Sequence, residues 1–168
     1  MKENTVSTSP VAITCDSLLA EEAELQLKYF DETVAWQLGT WMVETAQREA
    51  SAPTLSITRG RHRLFHFAFA GTSADNDDWV ARKSNTVYRF GHSSWYMALL
   101  VAKENTDGAT RYQISAADYT FGGGGVPIFV RHAGLVGCVA VSGIPGDRDH
   151  TLAVDALLAV IKKQGEEK

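Results

Sequence analysis

Apolar and polar residues alternate along the first third of the chain in a pattern that predicts a helix, a strand and a second helix. Residues 17–24 favour a short helix. Residues 25–29 alternate and indicate a strand, although one continuous helix over residues 19–45 fits the same spacing. Asp31 is the predicted N-cap of the second helix, which has to end before Pro53.

A β-hairpin is predicted next, from two apolar arms joined at a glycine. Residues 55–57 form the first arm, Gly60 marks the turn, and residues 64–70 form the second arm. Three phenylalanines share one face of the second arm and are predicted to enter the core: Phe65, Phe67 and Phe69. His66 therefore lies on the opposite face, under a helix or facing a partner.

Two helices are predicted in the middle of the chain. Residues 71–76 form a loop rich in N-cap residues, and the helix that follows ends at Gly91. Ser93 or Ser94 caps a further helix, and residues 105–109 form a surface loop.

The clearest strand pattern lies in the last third. Residues 126–130 and 136–141 are short apolar segments, as expected for two buried strands. Asp147 is predicted to cap a final helix. The order is then α-β-α-β-β-α-α-β-β-α, and the hairpins make the sheet mainly antiparallel with helices packed on it. The predicted fold class is α+β.

Composition limits the class of protein. The 168 residues suffice for one domain; we assign residues 1–15 to a mobile leader and residues 16–164 to the domain. The net charge of −4, with scattered Lys and Arg, argues against a nucleic-acid partner. No apolar run is long enough for a membrane span, and the first residues lack the apolar core of a secretory signal. Two unrelated cysteines, Cys15 and Cys138, fit a cytoplasmic protein.

Four consecutive glycines at residues 122–125, the glycine run, lead into the first buried strand. They do not form a phosphate loop, because no Lys-Ser/Thr follows and the next element is a strand. Their N–H groups could bind an anion such as a carboxylate, and a turn or bulge is an equal alternative. Arg82 and Lys83 lie on the helix expected to face the glycine run, where they either contact a carboxylate ligand or pair with acidic neighbours.

The remaining polar residues contain no recognisable catalytic constellation. Residues 75–78 resemble half of a calcium loop, but Val80 and Thr86 occupy its sixth and twelfth positions, so helix capping is the better interpretation. None of the five histidines forms a metal-binding pair, and no metal site is predicted. His92 and His150 are the two candidates for a haem or metal ligand, with an ordinary polar role as the alternative.

Two stretches resemble a known family. The first is GTSADNDDWVARKSNTVYRFGHSS, which is similar to the mid-chain signature of a small, largely uncharacterised cytosolic family with bacterial and fungal members. The second is FGGGGVPIFVRHAGLVGCVAVSGIPGDRDHTLAVDAL, which resembles that family and the wider haem-degrading group of HbpS-like and GlcG-like proteins. Its shared pattern is the glycine run, Pro127-Ile128, Gly134-Leu135-Val136-Gly137, Val141-Ser142-Gly143 and the aspartates at 147 and 149.

The resemblance implies a profilin-like α/β sandwich that assembles into a homo-oligomer. Members of the wider group bind haem or related tetrapyrroles, and some degrade haem. It therefore implies a small-ligand binding domain, with haem, another tetrapyrrole or a small anionic metabolite held near the glycine run. No histidine falls on a matching motif position, so the resemblance assigns no haem ligand.

Two alternatives stay open: a haem-degrading or small-acid enzyme that uses His92, His150 or Asp147 as acid or base, and an oligomeric scaffold without a working site. The predicted ligand-binding residues are Gly122, Gly123, Gly124, Gly125, Asn76, Trp79, Arg82, Lys83, His92, Asp147 and His150.

Overall fold

The computed structural model describes residues 12–167, so most of the predicted leader lies outside it. The described residues form six helices and five strands. In chain order these are α1 Cys15–Glu24, β1 Gln26–Leu27, α2 Glu32–Arg48, β2 Thr54–Arg59, β3 His62–Ala68, α3 Ala74–Phe90, α4 Ser94–Lys103, α5 Gly108–Tyr112, β4 Gly125–Val130, β5 Gly134–Ser142 and α6 Gly146–Glu166. Thr14 caps α1, which begins at Cys15.

The strands form one sheet in the order β1-β4-β5-β2-β3. β1 is parallel to β4, and the other neighbouring strands are antiparallel. The apolar sides of α2 and α6 cover one face of the sheet and form the main core with it. α3 covers the other face through a smaller cluster: Val80, Val87, Cys138 and Ala140. The predicted α+β sandwich with a mainly antiparallel sheet is confirmed.

Local signals placed most element ends correctly. The Asp31 carboxylate accepts a hydrogen bond from the Val34 N–H at 2.9 Å and starts α2, so a continuous helix over residues 19–45 is wrong. Gly91 ends α3 with a φ of 71°, a conformation that glycine adopts without strain. Ser93, rather than Ser94, caps α4.

The hairpin is present, but its phenylalanine face is only partly buried. Phe65 and Phe69 pack against the edge of the main core, whereas Phe67 is 38% exposed. The reason is position, because β3 is an edge strand and only part of its face lies under a helix. His66 does face a helix, since its Nε2 lies 2.6 Å from Asp77 Oδ1 on α3.

Two further predictions need correction. The expected surface loop at residues 105–109 runs into the short helix α5, because Asp107 accepts hydrogen bonds from the Ala109 and Thr110 N–H groups. Asp147 does not cap the last helix. The N-cap is Pro145, and Asp147 lies in the first turn, where a negative charge is favourable.

Candidate functional site

The glycine run makes a tight turn into β4 between α3 and α6. Gly123, Gly124 and Gly125 are buried, and Gly122 is half-buried. A Cβ on Gly124 would overlap the Val141 carbonyl and lie 2.7 Å from Lys83 Nζ. The run faces the helix of Lys83, as predicted, and its buried part is covered by the chain itself.

Lys83 and Asp149 form a buried ion pair beneath the glycine run. Lys83 Nζ lies 2.8 Å from Asp149 Oδ2 and donates a second hydrogen bond to the Val141 carbonyl at 2.6 Å. The other Asp149 oxygen accepts from the Ile144 N–H at 3.3 Å. The pair therefore joins α3 to α6, and of the two alternatives for Lys83, pairing with an acidic neighbour is the one observed.

Burial shifts the pKa values of the two partners in opposite directions. It raises the pKa of Asp149 above its usual value, with the Lys83 charge acting against this shift. It lowers the pKa of Lys83, with the Asp149 charge acting against that shift. Burial also raises the pKa of the Cys138 thiol to about 12, so Cys138 is an unreactive core residue.

Trp79 and Arg82 lie together on the outer side of α3. The Arg82 guanidinium stacks 4.0 Å above the Trp79 ring. Both residues line an open cleft of ≈ 330 Å³ whose opposite wall includes Tyr119 and Phe121. This cleft adjoins the exposed end of the glycine run but contains none of its glycines.

His92 is held by a carboxylate from α1. Its Nδ1 lies 2.7 Å from Glu22 Oε2, and Glu22 Oε1 accepts the Ser93 N–H at 2.6 Å. Glu22 is 5% exposed, whereas the His92 side chain is 38% exposed. No hydrogen bond joins Nε2 of His92 to another described residue, so this nitrogen is open to a ligand.

His150 makes a similar contact in a different environment. Its Nε2 lies 2.6 Å from Glu21 Oε1, and its ring packs edge-on against Trp95 at 4.9 Å between centroids. The residue is 2% exposed, and its Nδ1 has no hydrogen-bond partner among the described residues. His150 is therefore closed to a ligand as large as haem.

Two other predicted residues act locally. The Asn76 side-chain oxygen accepts the Ser73 N–H at 3.0 Å, which completes the capping box of α3. Asp147 lies at an exposed position in the first turn of α6. The structure therefore brings Lys83 to the buried part of the glycine run, and neither the His92–Glu22 contact nor the Trp79–Arg82 cleft includes a residue of that arrangement.

Sequence reasoning missed the acidic partners. Glu22 follows the buried Leu18 by one helical turn, and Asp149 precedes the inward-facing Ala153 by one turn. A carboxylate in the apolar stripe of a helix needs an ionic or hydrogen-bond partner when it is buried. The positions of Glu22 and Asp149 could therefore have indicated buried polar contacts.

The described part of the chain contains neither a metal-binding cluster nor a membrane-spanning helix. Within residues 12–167, no group of three or more His, Cys, Asp or Glu side chains could hold a metal ion. None of the helices described here is long and apolar enough to cross a bilayer.

Several known proteins are similar to this chain in sequence. The chain matches the family model of the haem degrading protein HbpS-like over residues 30–158. A UPF0303 protein of Pseudomonas entomophila is 42% identical over 144 residues, covering 86% of this chain and 80% of that protein. One from Psychromonas ingrahamii is 39% identical over 145 residues, covering 86% and 91%.

Several solved structures are similar to this chain in fold. The Ybr137w protein is 29% identical with a TM-score of 0.84, covering 92% of this chain and 91% of that one. HbpS has a TM-score of 0.64 at 22% identity over 81% and 92% of the two chains. A PduOC–haem complex has a TM-score of 0.65 at 18% identity over 77% and 94%. These last two likenesses define the fold as that of an HbpS-type α/β domain. The chain belongs to the family described as haem degrading protein HbpS-like, and it also belongs with the UPF0303 proteins.

Proposed function

We propose that this protein binds haem or a closely related tetrapyrrole, with His92 as the ligand to the iron. The observation that carries the proposal is the pairing of His92 with Glu22. A carboxylate holds Nδ1 at 2.7 Å, while Nε2 is open and the side chain is partly exposed. A histidine that binds a metal through one nitrogen commonly donates its other N–H to a carboxylate or carbonyl. The family description and the haem complex of a structural neighbour support the same ligand.

The two candidate histidines differ in how well they fit haem. At His92, the Glu22 carboxylate keeps the proton on Nδ1 and leaves the lone pair on Nε2. At His150, Nε2 is occupied by Glu21 and the ring is 2% exposed, so an iron centre could reach it only if α1 moved away. We therefore assign the iron-binding role to His92 alone.

The surface beside His92 suits a flat apolar ring with acidic side groups. α4 begins just after His92, and the spacing of Tyr96, Leu99 and Lys103 places these three residues on one side of the helix. The Tyr96 ring lies 4.6 Å from the imidazole, Leu99 is partly exposed, and Lys103 is exposed at the far end. α4 is almost entirely apolar, yet among its residues only Ser94 and Met97 are buried. Its other apolar residues are half-buried, apart from the exposed Ala102, and an apolar helix that its own chain covers only in part is expected to pack against a ligand or partner.

When bound, haem would supply a redox-active iron with an exchangeable coordination position. The chain's own part is to orient and shield. Glu22 fixes the imidazole, Tyr96 and Leu99 exclude water from the ring, and Lys103 attracts a propionate. The glycine run and Lys83 lie outside this proposal, because they are already packed against each other.

The test is a titration of purified protein with hemin, followed by absorbance. We expect wild type to shift the Soret band at near-stoichiometric ratio and His92→Ala to lose the shift. His62→Ala is the matched control, since His62 is exposed and lies on β3. A wild-type spectrum equal to that of free hemin, or equal titrations of the two variants, would contradict the proposal.

The same samples distinguish binding from degradation, which the family description makes the second candidate function. Addition of a reductant or peroxide should bleach the band and release iron faster than it does with albumin if the protein is an enzyme. Bleaching at the albumin rate leaves binding as the function. Homo-oligomer formation and a cytoplasmic location stay predictions; the latter fits two cysteines that form no disulfide.

A further inference from the structure

A second cavity lies on the α3 side of the sheet, away from His92. It opens between the β2–β3 hairpin and α3 and measures ≈ 220 Å³. This is room for several water molecules or a small organic ligand. Neither the proposed haem site nor the Lys83–Asp149 pair contributes a residue to it.

A β-bulge places an arginine in this cavity. Ile57 pairs with Phe65, but the next residue, Thr58, pairs with Arg63, so Leu64 is the extra residue of a bulge. Directly paired residues share a face of the sheet. Ile57 and Phe65 face the main core, whereas Thr58 and Arg63 face α3. Without the bulge, Arg63 would lie on the same side as Phe65.

The cavity carries positive charge that no nearby carboxylate neutralises. Arg61, in the turn of the hairpin, joins Arg63 in the lining. Within residues 12–167, neither guanidinium forms a salt bridge or a side-chain hydrogen bond. Three other arginines are each paired with a glutamate: Arg59 with Glu32, Arg111 with Glu104, and Arg148 with Glu49. No acidic residue lines the cavity.

The floor of the cavity supplies a hydroxyl group without a partner. Ser56 is 3% exposed and lines the cavity, and no described residue forms a hydrogen bond with its hydroxyl. Ser84 and Tyr88 from α3 also line the cavity, but each hydroxyl already donates to a backbone carbonyl, Ser84 to Val80 at 2.8 Å and Tyr88 to Thr58 at 3.1 Å. The Ser56 hydroxyl therefore opens into the same cavity as the exposed guanidinium groups of Arg61 and Arg63, and all three can donate hydrogen bonds to an oxyanion.

We infer that this cavity binds the phosphoryl group of a small phosphate monoester. Guanidinium groups bind phosphate through paired, charge-assisted hydrogen bonds, and Ser56 can donate a further one. The volume leaves space for a short organic group beyond the phosphate. The site is separate from His92, so the inference does not depend on haem binding.

The test is calorimetric titration of the full chain at low salt with three probes: inorganic phosphate, glycerol phosphate, and vesicles that contain phosphatidic acid. Inorganic phosphate tests the shared chemistry, and the other two separate a soluble metabolite from a lipid headgroup. We expect glycerol phosphate to bind more tightly than inorganic phosphate and the vesicles not to bind.

The variants are Arg63→Ala, Arg61→Ala/Arg63→Ala and Ser56→Ala. The matched control is Lys28→Ala/Arg131→Ala, which removes the same charge at two exposed positions.

We expect each arginine removed to weaken phosphate binding by about tenfold, since hydrogen bonds to charged groups are the strong ones. Ser56→Ala should weaken binding by several-fold, and the control should bind like wild type. The circular dichroism spectrum and urea midpoint of the double arginine variant should match those of wild type, which confirms folding. No heat from phosphate with wild type would overturn the inference. So would equal affinities for Arg61→Ala/Arg63→Ala and Lys28→Ala/Arg131→Ala, because binding would then follow net charge alone. Binding of the vesicles in place of glycerol phosphate would overturn the assignment to a small metabolite.

Discussion

Lys83 and Asp149 form an ion pair in which both residues are buried, with exposures of 6% and 2%. Taking two charges out of water costs free energy, which their attraction and their hydrogen bonds to Val141 and Ile144 offset. Loss of one partner leaves the other as an uncompensated buried charge. That situation is much more costly than loss of the whole pair.

We therefore predict that Lys83→Met lowers the free energy of unfolding by about 3–5 kcal/mol, measured by urea denaturation at pH 8. The double variant Lys83→Met/Asp149→Leu should be more stable than Lys83→Met alone, because it removes the stranded carboxylate. A double variant that is less stable than the single variant would show that packing, and not charge, dominates at this position.

The loss of unfolding free energy in Lys83→Met should depend on pH. Burial raises the pKa of Asp149 in the folded protein above its usual 3.8, and removal of Lys83 raises it further, since the Lys83 charge and hydrogen bond lower it. At a pH between the pKa of Asp149 in the unfolded chain, near 3.8, and its higher pKa in the folded variant, the folded variant holds a proton that the unfolded chain has lost. The variant is thus stabilised at low pH and loses that stability as pH rises through the folded pKa. Urea titrations of wild type and variant should converge from pH 8 towards pH 5; a constant gap would contradict the prediction.

At the scale of elements, α1 depends on tertiary contacts for its position. A helix of 10 residues is marginal by itself in water. Glu22 ties it to the α3–α4 corner through His92 and Ser93, and Glu21 ties it to His150 on α6. α1 is therefore the element whose local opening would expose both histidines.

Glu22→Ala should release α1 while the sheet stays folded. It leaves the buried Ser93 N–H without an acceptor, which costs about 1–3 kcal/mol. Hydrogen exchange followed by mass spectrometry should show faster exchange in α1 and unchanged exchange in β5. Glu24→Ala is the control, because Glu24 is exposed on the same helix. If both variants exchange alike in α1, the Glu22 contacts do not hold the helix.

Elements whose ends are set by neighbouring residues could be predicted from the sequence. Asp31 and Gly91 mark helix ends through contacts within one turn, and both were placed correctly. The histidine partners could not be predicted, because Glu22 lies 70 residues from His92 and Glu21 lies 129 from His150. A pattern of residue types contains no such pairing; only the fold brings these groups together.

The phenylalanine face shows a related limit. Period-two alternation identified the shared side of Phe65 and Phe67, yet burial depends on the strand's place in the sheet. β3 is an edge strand, and the bulge at Leu64 reverses the side of the residues before it. Neither fact follows from alternation in one segment.

At the scale of the whole molecule, one surface combines an open sheet edge with aromatic residues. β3 has no neighbour on one side, so its backbone groups there are free to pair with another strand. Beside it, a groove of ≈ 320 Å³ lies between α2 and β3. Trp36, 64% exposed, packs edge-on against Phe65 in this groove, and Phe67 is 38% exposed. We call this surface, Trp36, Phe65 and Phe67, the aromatic edge.

We predict that two copies of the chain associate through the aromatic edge, because exposed aromatic residues at an unpaired strand favour self-association. Light scattering should give wild type a mass that is a multiple of 18.3 kDa, and Trp36→Glu/Phe67→Lys should reduce that mass. The control is Leu158→Lys, since Leu158 is 43% exposed on α6, an element that does not line the groove. A monomeric wild type would refute association. An oligomer that persists in the double variant would place the interface elsewhere, with the apolar helix α4 as the next surface to mutate.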